Sequence, residues 1–227
     1  MRVCKVASLV LAAVLIPLSG VSSAAFSVYT DFASFDAATD TTLVEDFEGI
    51  NPSEMDTPLA SLTRNGITYT GLQATNPNVW VASAGYTNFG LADPTTSAVL
   101  TATGYEFFEI DLSATPYRAI GFDVYLNDDG PVTTRYYDAA DDLIWTIGDF
   151  RGAGAVRFVG VLNDDPIHRI EWESTALPGQ AQQINTGLDN LLLGTEWKIP
   201  LVPAPGAIVL GAFGTGLVGW LRRRRAL

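Results

Sequence analysis

The chain is poor in the two residue types that build most metal and thiol centres. Cysteine occurs once, as Cys4, and histidine occurs once, as His168. A zinc site draws on several cysteine or histidine ligands, so zinc chemistry is excluded. No disulfide can form within a chain that has a single cysteine, and the fold must be held by its hydrophobic core.

Positive charge is also scarce in the long central region. Between residues 26 and 200 the chain carries all 25 of its acidic residues and seven basic ones, a net charge of −18 against −12 for the whole chain. Nucleic-acid binding needs cationic side chains that neutralise phosphates, so this composition excludes nucleic acid as a partner. Such a charge suits a soluble extracellular surface, or one that collects divalent cations.

Residues arranged for nucleophilic catalysis are lacking as well. No serine lies in a Gly-x-Ser-x-Gly turn, and His168 shares a strand face with Ile170 and Trp172, as a structural histidine would. Glu171 and Glu173 alternate on the other face, about 6.5–7 Å apart, which is within the spacing of glycosidase carboxylates. On so acidic a chain, a solvated acidic face explains this pair better. We therefore predict that the protein is not an enzyme.

The central region has the periodicity of an all-β domain. Short apolar runs alternate with polar residues, and turn-forming residues such as Arg64-Asn65-Gly66 and Asn163-Asp164-Asp165-Pro166 separate them. One short helix is expected within residues 28–38, and a hairpin from Arg118 to Tyr137. The pattern predicts an antiparallel β-sandwich or barrel. The predicted strands are Leu43–Phe47, Ile67–Gly71, Val79–Ser83, Ala98–Thr103, Glu106–Leu112, Arg118–Leu126, Val132–Tyr137, Leu143–Ile147, Val156–Leu162, Ile167–Glu173 and Leu188–Leu193.

The order of motifs in the second half of this region resembles a known exported domain. The motifs are Gly-Phe-Asp-Val at 121–124, Phe-Val-Gly-Val at 158–161, Pro-Ile-His-Arg-Ile-Glu-Trp at 166–172 and Gly-Leu-Asp-Asn-Leu at 187–191. Over residues 119–194 they are similar to the jelly-roll domains of lectins and carbohydrate-binding modules. The resemblance implies an antiparallel jelly-roll β-sandwich that contacts glycans.

Acidic pairs in the turns are candidates for calcium, which takes six to eight oxygen ligands. They are Asp128 with Asp129, Asp138 with Asp141 and Asp142, and Asp164 with Asp165. Asp189 on the last strand adds a further candidate, because jelly-roll modules of the kind that the chain resembles often hold calcium there. Asp and Asn also form turns without any metal, and no cluster has EF-hand spacing, so both interpretations stay open.

Aromatic side chains at loop tips are candidates for sugar contacts. Tyr86 and Phe89 lie in a glycine-containing loop between two predicted strands, where a ring can be exposed. Most other aromatic residues of a sandwich belong to its core. We therefore take Tyr86 and Phe89 as the glycan-binding candidates.

The N-terminus has the three parts of a secretory signal peptide. Arg2 and Lys5 precede an apolar stretch from Val6 to Leu18, and the small residues Ser23-Ala24-Ala25 follow it. This pattern predicts a signal peptide over residues 1–25 with cleavage just before Phe26. An uncleaved anchor is the alternative.

The C-terminus places two prolines before an apolar stretch and a basic cluster. Val202-Pro203-Ala204-Pro205 is followed by sixteen uncharged residues from Gly206 to Leu221 and then by Arg222-Arg223-Arg224-Arg225. As a helix those sixteen residues would rise about 24 Å, slightly less than a hydrocarbon core of roughly 30 Å. The arginines should stay cytoplasmic and orient a single transmembrane helix. A buried C-terminal helix is the alternative.

Together the two ends resemble the PEP-CTERM family of bacterial envelope proteins. Pro203 and Pro205 match the two prolines of the family motif, and residues 222–225 match its basic cluster, whereas Ala204 stands where the family usually has glutamate. The resemblance implies a substrate of an exosortase, a membrane enzyme that processes the tail. It divides the chain into a signal peptide (1–25), an exported domain (26–197) and a C-terminal sorting signal (198–227).

The sequence thus predicts an exported protein that is anchored transiently in the inner membrane and then handed to the cell surface or extracellular matrix. Exosortase is the expected processing partner, and exopolysaccharide is the expected associate. A calcium-stabilised carbohydrate-binding module is the alternative, and a glycan-active hydrolase is a more remote one.

Processing of the tail can be checked by mass. We expect the intact mass of the mature protein from the cells that produce it to lack the segment with Arg222–Arg225, because a sorting signal is removed after recognition. Retention of those four arginines in the mature protein would contradict the sorting prediction.

Overall fold

The structure, a computed structural model, describes residues 25–50, 59–83, 97–102, 106–125, 131–150, 156–174, 186–196 and 198. The signal segment before Ala25 and the sorting motif, apolar stretch and arginines after Lys198 lie outside these residues. The helix within the described ranges is α1 (Phe32–Ala38). The strands are β1 (Phe26–Tyr29), β2 (Thr42–Glu45), β3 (Ser61–Arg64), β4 (Ile67–Gly71), β5 (Val79–Ala82), β6 (Val99–Ala102), β7 (Phe107–Asp111), β8 (Tyr117–Tyr125), β9 (Val132–Tyr137), β10 (Leu143–Phe150), β11 (Val156–Ile167), β12 (Arg169–Ser174) and β13 (Gly187–Gly194).

These strands form two antiparallel sheets. The seven-stranded sheet has the order β1-β11-β8-β13-β6-β5, and β2 also pairs with β13. The six-stranded sheet has the order β10-β9-β12-β7-β4-β3. The prediction of an all-β antiparallel sandwich is confirmed, and so is the short helix within residues 28–38.

The core lies between the sheets and is built by alternation along each strand. On β12, Ile170 and Trp172 are fully buried, because every second side chain of a strand points to the same face. The Trp172 ring stacks on Phe108 of β7 at a centroid distance of 5.5 Å and lies 6.1 Å from Phe122 of β8. Trp172 therefore packs between the two sheets, and the side chain of Glu171, the residue between Ile170 and Trp172, faces outward.

The turn between β3 and β4 follows directly from its sequence. Asn65 and Gly66 have φ angles of 51° and 80°, the left-handed pair that a two-residue hairpin turn requires. Strand β3 itself was not predicted, because Ser61–Arg64 contains a single apolar residue and gives only a weak strand pattern.

Helix α1 covers the outer face of the seven-stranded sheet. The side chain of Asp31 caps the helix by accepting a hydrogen bond from the Ser34 amide at 2.8 Å. Phe35 is fully buried against β8 and β11. A Cβ atom at Gly160 would lie 2.5 Å from the Phe35 ring, and one at Gly121 would lie 2.7 Å from it. Glycine at both positions lets the ring reach the sheet.

The predicted hairpin from Arg118 to Tyr137 is wrong. Strand β8 pairs with β11 and β13 in the seven-stranded sheet, whereas β9 pairs with β10 and β12 in the six-stranded sheet. The Asn-Asp-Asp-Gly sequence between them signals a reversal of the chain but does not select its pairing partner. A connection between the two sheets therefore replaces the expected hairpin.

A second expectation, that Asn163–Pro166 is a turn between two strands, is also wrong. Strand β11 continues through this sequence to Ile167, with an irregular register between Leu162 and Ile167. The extra residues of β11 are accommodated as an irregularity in its pairing with β8.

Among the described residues, no helix is long and apolar enough to cross a membrane. The apolar stretch from Gly206 to Leu221 is not part of the described chain, so the single transmembrane helix remains a prediction.

The buried carboxyl group of Glu106 forms hydrogen bonds with Thr101 and Thr186. Glu106 is fully buried, and its Oε2 accepts hydrogen bonds from the Thr186 amide at 2.5 Å and from the Thr186 hydroxyl. Its Oε1 lies 3.2 Å from the Thr101 hydroxyl. Burial raises the pKa of Glu106 well above its usual value, although the hydrogen bonds from Thr186 and Thr101 oppose that shift.

We expect Glu106→Gln to be more stable than the wild type at neutral pH, by about 1–2 kcal/mol. Because the folded-state pKa of Glu106 is raised, its stabilising effect is complete below the unfolded-state pKa of about 4.3 and declines as the pH rises towards the folded-state pKa. Glutamine keeps an acceptor for the Thr186 amide and gives a donor for Thr101, and it does not titrate. The stability difference, measured by urea unfolding, should widen from pH 4 to pH 7.

Glu106→Ala is the control, because it leaves the buried Thr186 amide without an acceptor and should destabilise the protein at every pH. A Glu106→Gln stability difference that is independent of pH, or that favours the wild type more as the pH rises, would contradict the raised pKa.

Candidate functional site

The outer surface of the six-stranded sheet carries a group of charged and polar side chains that we call the charged face. Since Ile170 and Trp172 point into the core, their neighbours on β12 point outward, and the register places the outward residues of β9 and β7 beside them. The charged face consists of Arg135 and Tyr137 from β9, Arg169, Glu171 and Glu173 from β12, and Glu109 from β7.

Arg169 lies at the centre of the charged face. Its guanidinium carbon is 3.7 Å from the centroid of the Tyr137 ring, a cation–π contact. Its Nη1 lies 2.5 Å from Oε1 of Glu171, and its Nη2 lies 2.6 Å from Oδ1 of Asp141. Burial alone would lower the pKa of Arg169, but the hydrogen bonds to Glu171 and Asp141 outweigh it and raise that pKa. The guanidinium is therefore a fixed, permanently charged donor.

Tyr137 forms a hydrogen bond through its hydroxyl group in addition to the cation–π contact of its ring. The hydroxyl donates a hydrogen bond to Oε2 of Glu171 at 2.7 Å. Burial and this bond raise the pKa of Tyr137, so the phenol stays neutral and keeps its donor. On the same strand, Nη2 of Arg135 lies 2.5 Å from Oε2 of Glu173. These contacts fix the orientation of Tyr137 and Arg135 on β9 relative to Glu171 and Glu173 on β12.

The fourth carboxylate of the surrounding network belongs to β7. Glu109 is the register partner of Glu171, and its Oε2 lies 3.7 Å from Nη1 of Arg169. Burial raises the pKa of Glu109, while the nearby Arg169 opposes the shift. The charged face therefore holds two cationic and three anionic groups on three neighbouring strands. Such a surface can donate to and accept from a neutral ligand that has several adjacent hydroxyl groups.

The structure places Glu171 and Glu173 on one face of β12, as the sequence predicts. Each of them contacts an arginine, Glu171 through Arg169 and Glu173 through Arg135. His168 lies between β11 and β12, where its amide donates to the carbonyl of Tyr137 at 2.9 Å and its carbonyl accepts from Leu112 at 2.8 Å. Its backbone therefore links two neighbouring strands.

A second polar group surrounds Asp189 on β13. Asp189 is fully buried; its Oδ1 accepts a hydrogen bond from the Asn190 amide at 2.6 Å, and its Oδ2 has no hydrogen-bond partner. The next residue, Asn190, has a φ angle of 52°, and the strand register is irregular here. Burial raises the pKa of Asp189 to about 6, helped by the negative charges of Asp123 and Glu48 and opposed by Ser97 and Asn190.

The neighbours of Asp189 also have ordered carboxylates. Oε1 of Glu48 accepts from the Ala98 amide at 2.9 Å, and Oδ2 of Asp123 accepts from the Asn190 side chain at 2.9 Å. Within the ranges that the structure describes, no three His, Cys, Asp or Glu side chains form a group that could by itself hold a metal. A cation at Asp189 would therefore need backbone oxygens or water as further ligands.

The other predicted calcium ligands do not join Asp189. Oδ2 of Asp164 accepts from the Ala25 amide at 2.8 Å, and Asp165 is exposed. Asp128 and Asp129 lie outside the described residues. Asp138 behaves as a turn residue, because its Oδ1 accepts from the amides of Ala140 and Asp142 at 2.9 Å each.

The predicted sugar-contact residues Tyr86 and Phe89 also lie outside the described residues. Within the described part of the chain, Trp145 and Phe32 are the aromatic side chains with about half of their surface exposed. Trp145 stacks on Phe26 at a centroid distance of 5.3 Å, so it closes the edge between the two sheets.

A cavity of about 350 Å³ lies beside α1 on the seven-stranded sheet. Phe32 and Phe158 form an edge-to-face pair on its wall, at a centroid distance of 5.7 Å. Its remaining lining is Leu43, Asp123, Asn190 and Leu192. The cavity is mostly apolar, and its polar end is made by the hydrogen-bonded Asp123 and Asn190.

Sequence reasoning singled out Glu171 and Glu173 but missed the roles of Arg169, Arg135 and Glu109. Their orientation could have been inferred from the sequence, because each of these residues occupies an alternate position of its strand that points away from the core. The missing information was the pairing of β12 with β9 and β7, which lie far from each other in the sequence.

No model of a known protein family and no curated protein sequence matches the chain. Solved structures of similar fold include the carbohydrate-binding module TmCBM61 in complex with beta-1,4-galactotriose, with 12% identity and a TM-score of 0.39 over 67% of this chain and 99% of that one. The family 11 carbohydrate-binding module of the cellulase Lic26A-Cel5E of Clostridium thermocellum has 12% identity and a TM-score of 0.35, over 70% of this chain and 96% of that one.

A glycoside hydrolase family 43 arabinoxylan arabinofuranohydrolase from Bacillus subtilis, in complex with cellotetraose, is also similar. It has 14% identity and a TM-score of 0.32, over 53% of this chain and 25% of that one. At these identities and TM-scores the likenesses concern the fold and add no argument about function. The class that the fold defines is the antiparallel β-sandwich.

Proposed function

We propose that the chain is an exported polysaccharide-binding protein and that glycans bind on its charged face. The observation that carries this proposal is the constellation of Tyr137, Arg169 and Glu171. An aromatic ring, a guanidinium and a carboxylate are locked to one another on an outer sheet surface by the cation–π contact and two hydrogen bonds.

This constellation suits the chemistry of a sugar. Vicinal hydroxyl groups can donate to a carboxylate and accept from a guanidinium, and such charge-assisted hydrogen bonds are stronger than neutral ones. The three side chains already hold each other in place, so a ligand pays little conformational entropy to order them. In this proposal Glu171 and Glu173 are hydrogen-bond acceptors, and no enzymatic step is assigned to them.

Export supplies the setting of this proposal. The N-terminal segment acts as the signal peptide, the central region up to residue 197 forms a jelly-roll sandwich, and residues 198–227 act as the sorting signal. Exosortase would recognise Val202, Pro203, Ala204 and Pro205 while the tail is anchored in the inner membrane. The mature protein would then reach the cell surface or extracellular matrix. The order of prolines, apolar stretch and arginines in the sequence supports this part.

We also propose that calcium stabilises the sandwich at Asp189. The buried and unpartnered Oδ2 of that residue supports a bound cation, because a buried carboxylate oxygen without a partner is costly. Asp189, with Glu48 and Asp123 as its acidic neighbours, would hold the ion, together with oxygens of the backbone or water. The two positive charges of the ion would reduce the repulsion between Asp189 and its acidic neighbours.

Glycan binding can be tested with two variants, each of which removes one arginine. One arginine lies on the six-stranded sheet and the other on the seven-stranded sheet. Arg169→Ala should weaken binding at least about tenfold, or about 1.4 kcal/mol, because it removes a donor and releases the Tyr137 ring. Arg157→Ala on β11 is the matched control and should change affinity less than about twofold. Binding is measured by calorimetry against polysaccharide from the producing cells.

Tyr137→Phe and Tyr137→Ala separate the hydroxyl from the ring. Both should weaken binding, and the alanine variant more strongly. Equal affinities of the wild type and the Arg169→Ala and Tyr137→Ala variants would remove the charged face as the binding site. Absence of binding to any glycan would contradict the proposed function.

Calcium can be tested by thermal unfolding. A chelator should lower the melting temperature of the wild type by several degrees, since about 1 kcal/mol shifts a domain of this size by roughly 2–4 °C. Asp189→Asn should abolish the calcium dependence, whereas the exposed Asp165→Asn should keep it. A wild-type melting temperature that is unchanged by both calcium and chelator would contradict a bound ion.

A further inference from the structure

Ala25, the residue just before β1, lies against an acidic side chain of β11. Strands β1 and β11 are antiparallel, and Phe26 pairs with Asn163. This register brings the Ala25 nitrogen beside Asp164, where it lies 2.8 Å from Oδ2. The contact joins residues that are 139 positions apart in the sequence, so the strand pairing fixes it.

One oxygen of the half-buried Asp164 carboxylate lacks a hydrogen-bond donor. Its Oδ1 is buried and has no hydrogen-bond partner. The nearby guanidinium of Arg118 donates to the backbone carbonyl of Asp164 and not to its carboxylate. A neutral amide of Ala25 is therefore the one hydrogen-bond donor that the described residues give to this carboxylate. A buried carboxylate oxygen normally has a cation or a hydrogen-bond donor beside it.

The chain can supply that cation itself. We propose that signal peptidase cleaves between Ala24 and Ala25, and that the new α-ammonium group of Ala25 forms an ion pair with Asp164. Hydrolysis adds the hydroxyl of water to the Ala24 carbonyl and a proton to the Ala25 nitrogen. The resulting amine has an ordinary pKa of about 7.7–8.0, so it takes a further proton at neutral pH. One amide donor becomes three donors and a positive charge at the same place.

The sequence allows this cleavage position as well as the one before Phe26. Ser22-Ser23-Ala24 and Ser23-Ala24-Ala25 both have small residues at the two positions that signal peptidase recognises. The structure favours cleavage before Ala25, because only a chain that starts at Ala25 has its ammonium group next to the Asp164 carboxylate. A chain that starts at Phe26 loses this contact.

The ion pair has a structural consequence. Among the strands that the structure describes, β1 is at the edge of the seven-stranded sheet and pairs with β11 alone. A charge-assisted bond at its first residue would tie that edge down in the processed protein more firmly than a neutral amide does in the precursor. Processing and strand docking are then coupled.

The first test is the N-terminal mass and sequence of the full protein exported by the producing cells. We expect the mature chain to begin at Ala25. A chain that begins at Phe26 would contradict this inference while it leaves export intact. An N-terminus that retains the whole signal segment would contradict cleavage by signal peptidase altogether, on which this inference rests, whereas glycan binding bears on neither outcome.

The second test measures the reactivity of the α-amine. Lys198 is the only lysine that follows residue 5, so protein that has lost its signal peptide but still carries its C-terminal tail has one side-chain amine to serve as an internal reference. At pH 7, Asp164→Asn should speed acetylation of the α-amine about tenfold, because the ammonium form loses about 1.4 kcal/mol of stabilisation. The rate at Lys198 should stay the same, and Asp165→Asn, the matched control, should change neither rate.

An α-amine that reacts equally fast in the wild type and in Asp164→Asn would overturn the ion pair. If calcium binding is lost in Asp164→Asn at the same time, the carboxylate holds a metal ion instead. Should Asp164→Asn fail to fold, the N-terminus of the wild-type protein still decides the cleavage position.

Discussion

The burial of Trp172 between the two sheets is the interaction on which the rest of the structure depends. Its ring contacts Phe108 in its own sheet and Phe122 in the opposite one, and its Nε1 donates to the Thr186 hydroxyl at 3.2 Å. Once this side chain points inward, the period of a strand forces Glu171 and Glu173 to point outward. The same residue that closes the core therefore determines where the charged face lies, and a shift of β12 by one residue would bury the carboxylates and expose the indole.

The two sheets differ in what covers their outer surfaces. On the seven-stranded sheet, Phe35 of α1 sits over Gly121 and Gly160, so that surface contributes to a small second core. Within the described residues, the outer surface of the six-stranded sheet has no comparable cover, and its strands β7, β9 and β12 carry paired charges there instead. This asymmetry gives the sandwich one side for stability and one side for contact with a ligand. It also separates the charged face from the Asp189 group, which belongs to the seven-stranded sheet.

Local features of the fold could be predicted from the sequence, and pairing could not. The alternation of Ile170 with Glu171, the turn at Asn65-Gly66 and the helix around Phe35 are encoded within a few residues and were predicted. The sequence did not predict that the chain passes from β8 to the other sheet, because a turn sequence indicates a reversal of the chain and does not determine which strand the next segment pairs with. The charged face was missed for a related reason. Arg169 meets Tyr137 only through the register of β12 with β9, and the acidity of the chain favoured a plain solvated surface.

Whether a glycan binds on the charged face can be mapped on the protein itself. The measurement is hydrogen–deuterium exchange of backbone amides in the full mature protein, with and without polysaccharide from the producing cells. We expect polysaccharide to protect backbone amides from exchange mainly on β7, β9 and β12, the strands that carry Glu109, Tyr137 and Arg169. Protection confined to α1 and β2, around the cavity of the seven-stranded sheet, would contradict it, and so would the absence of any protection at saturating polysaccharide.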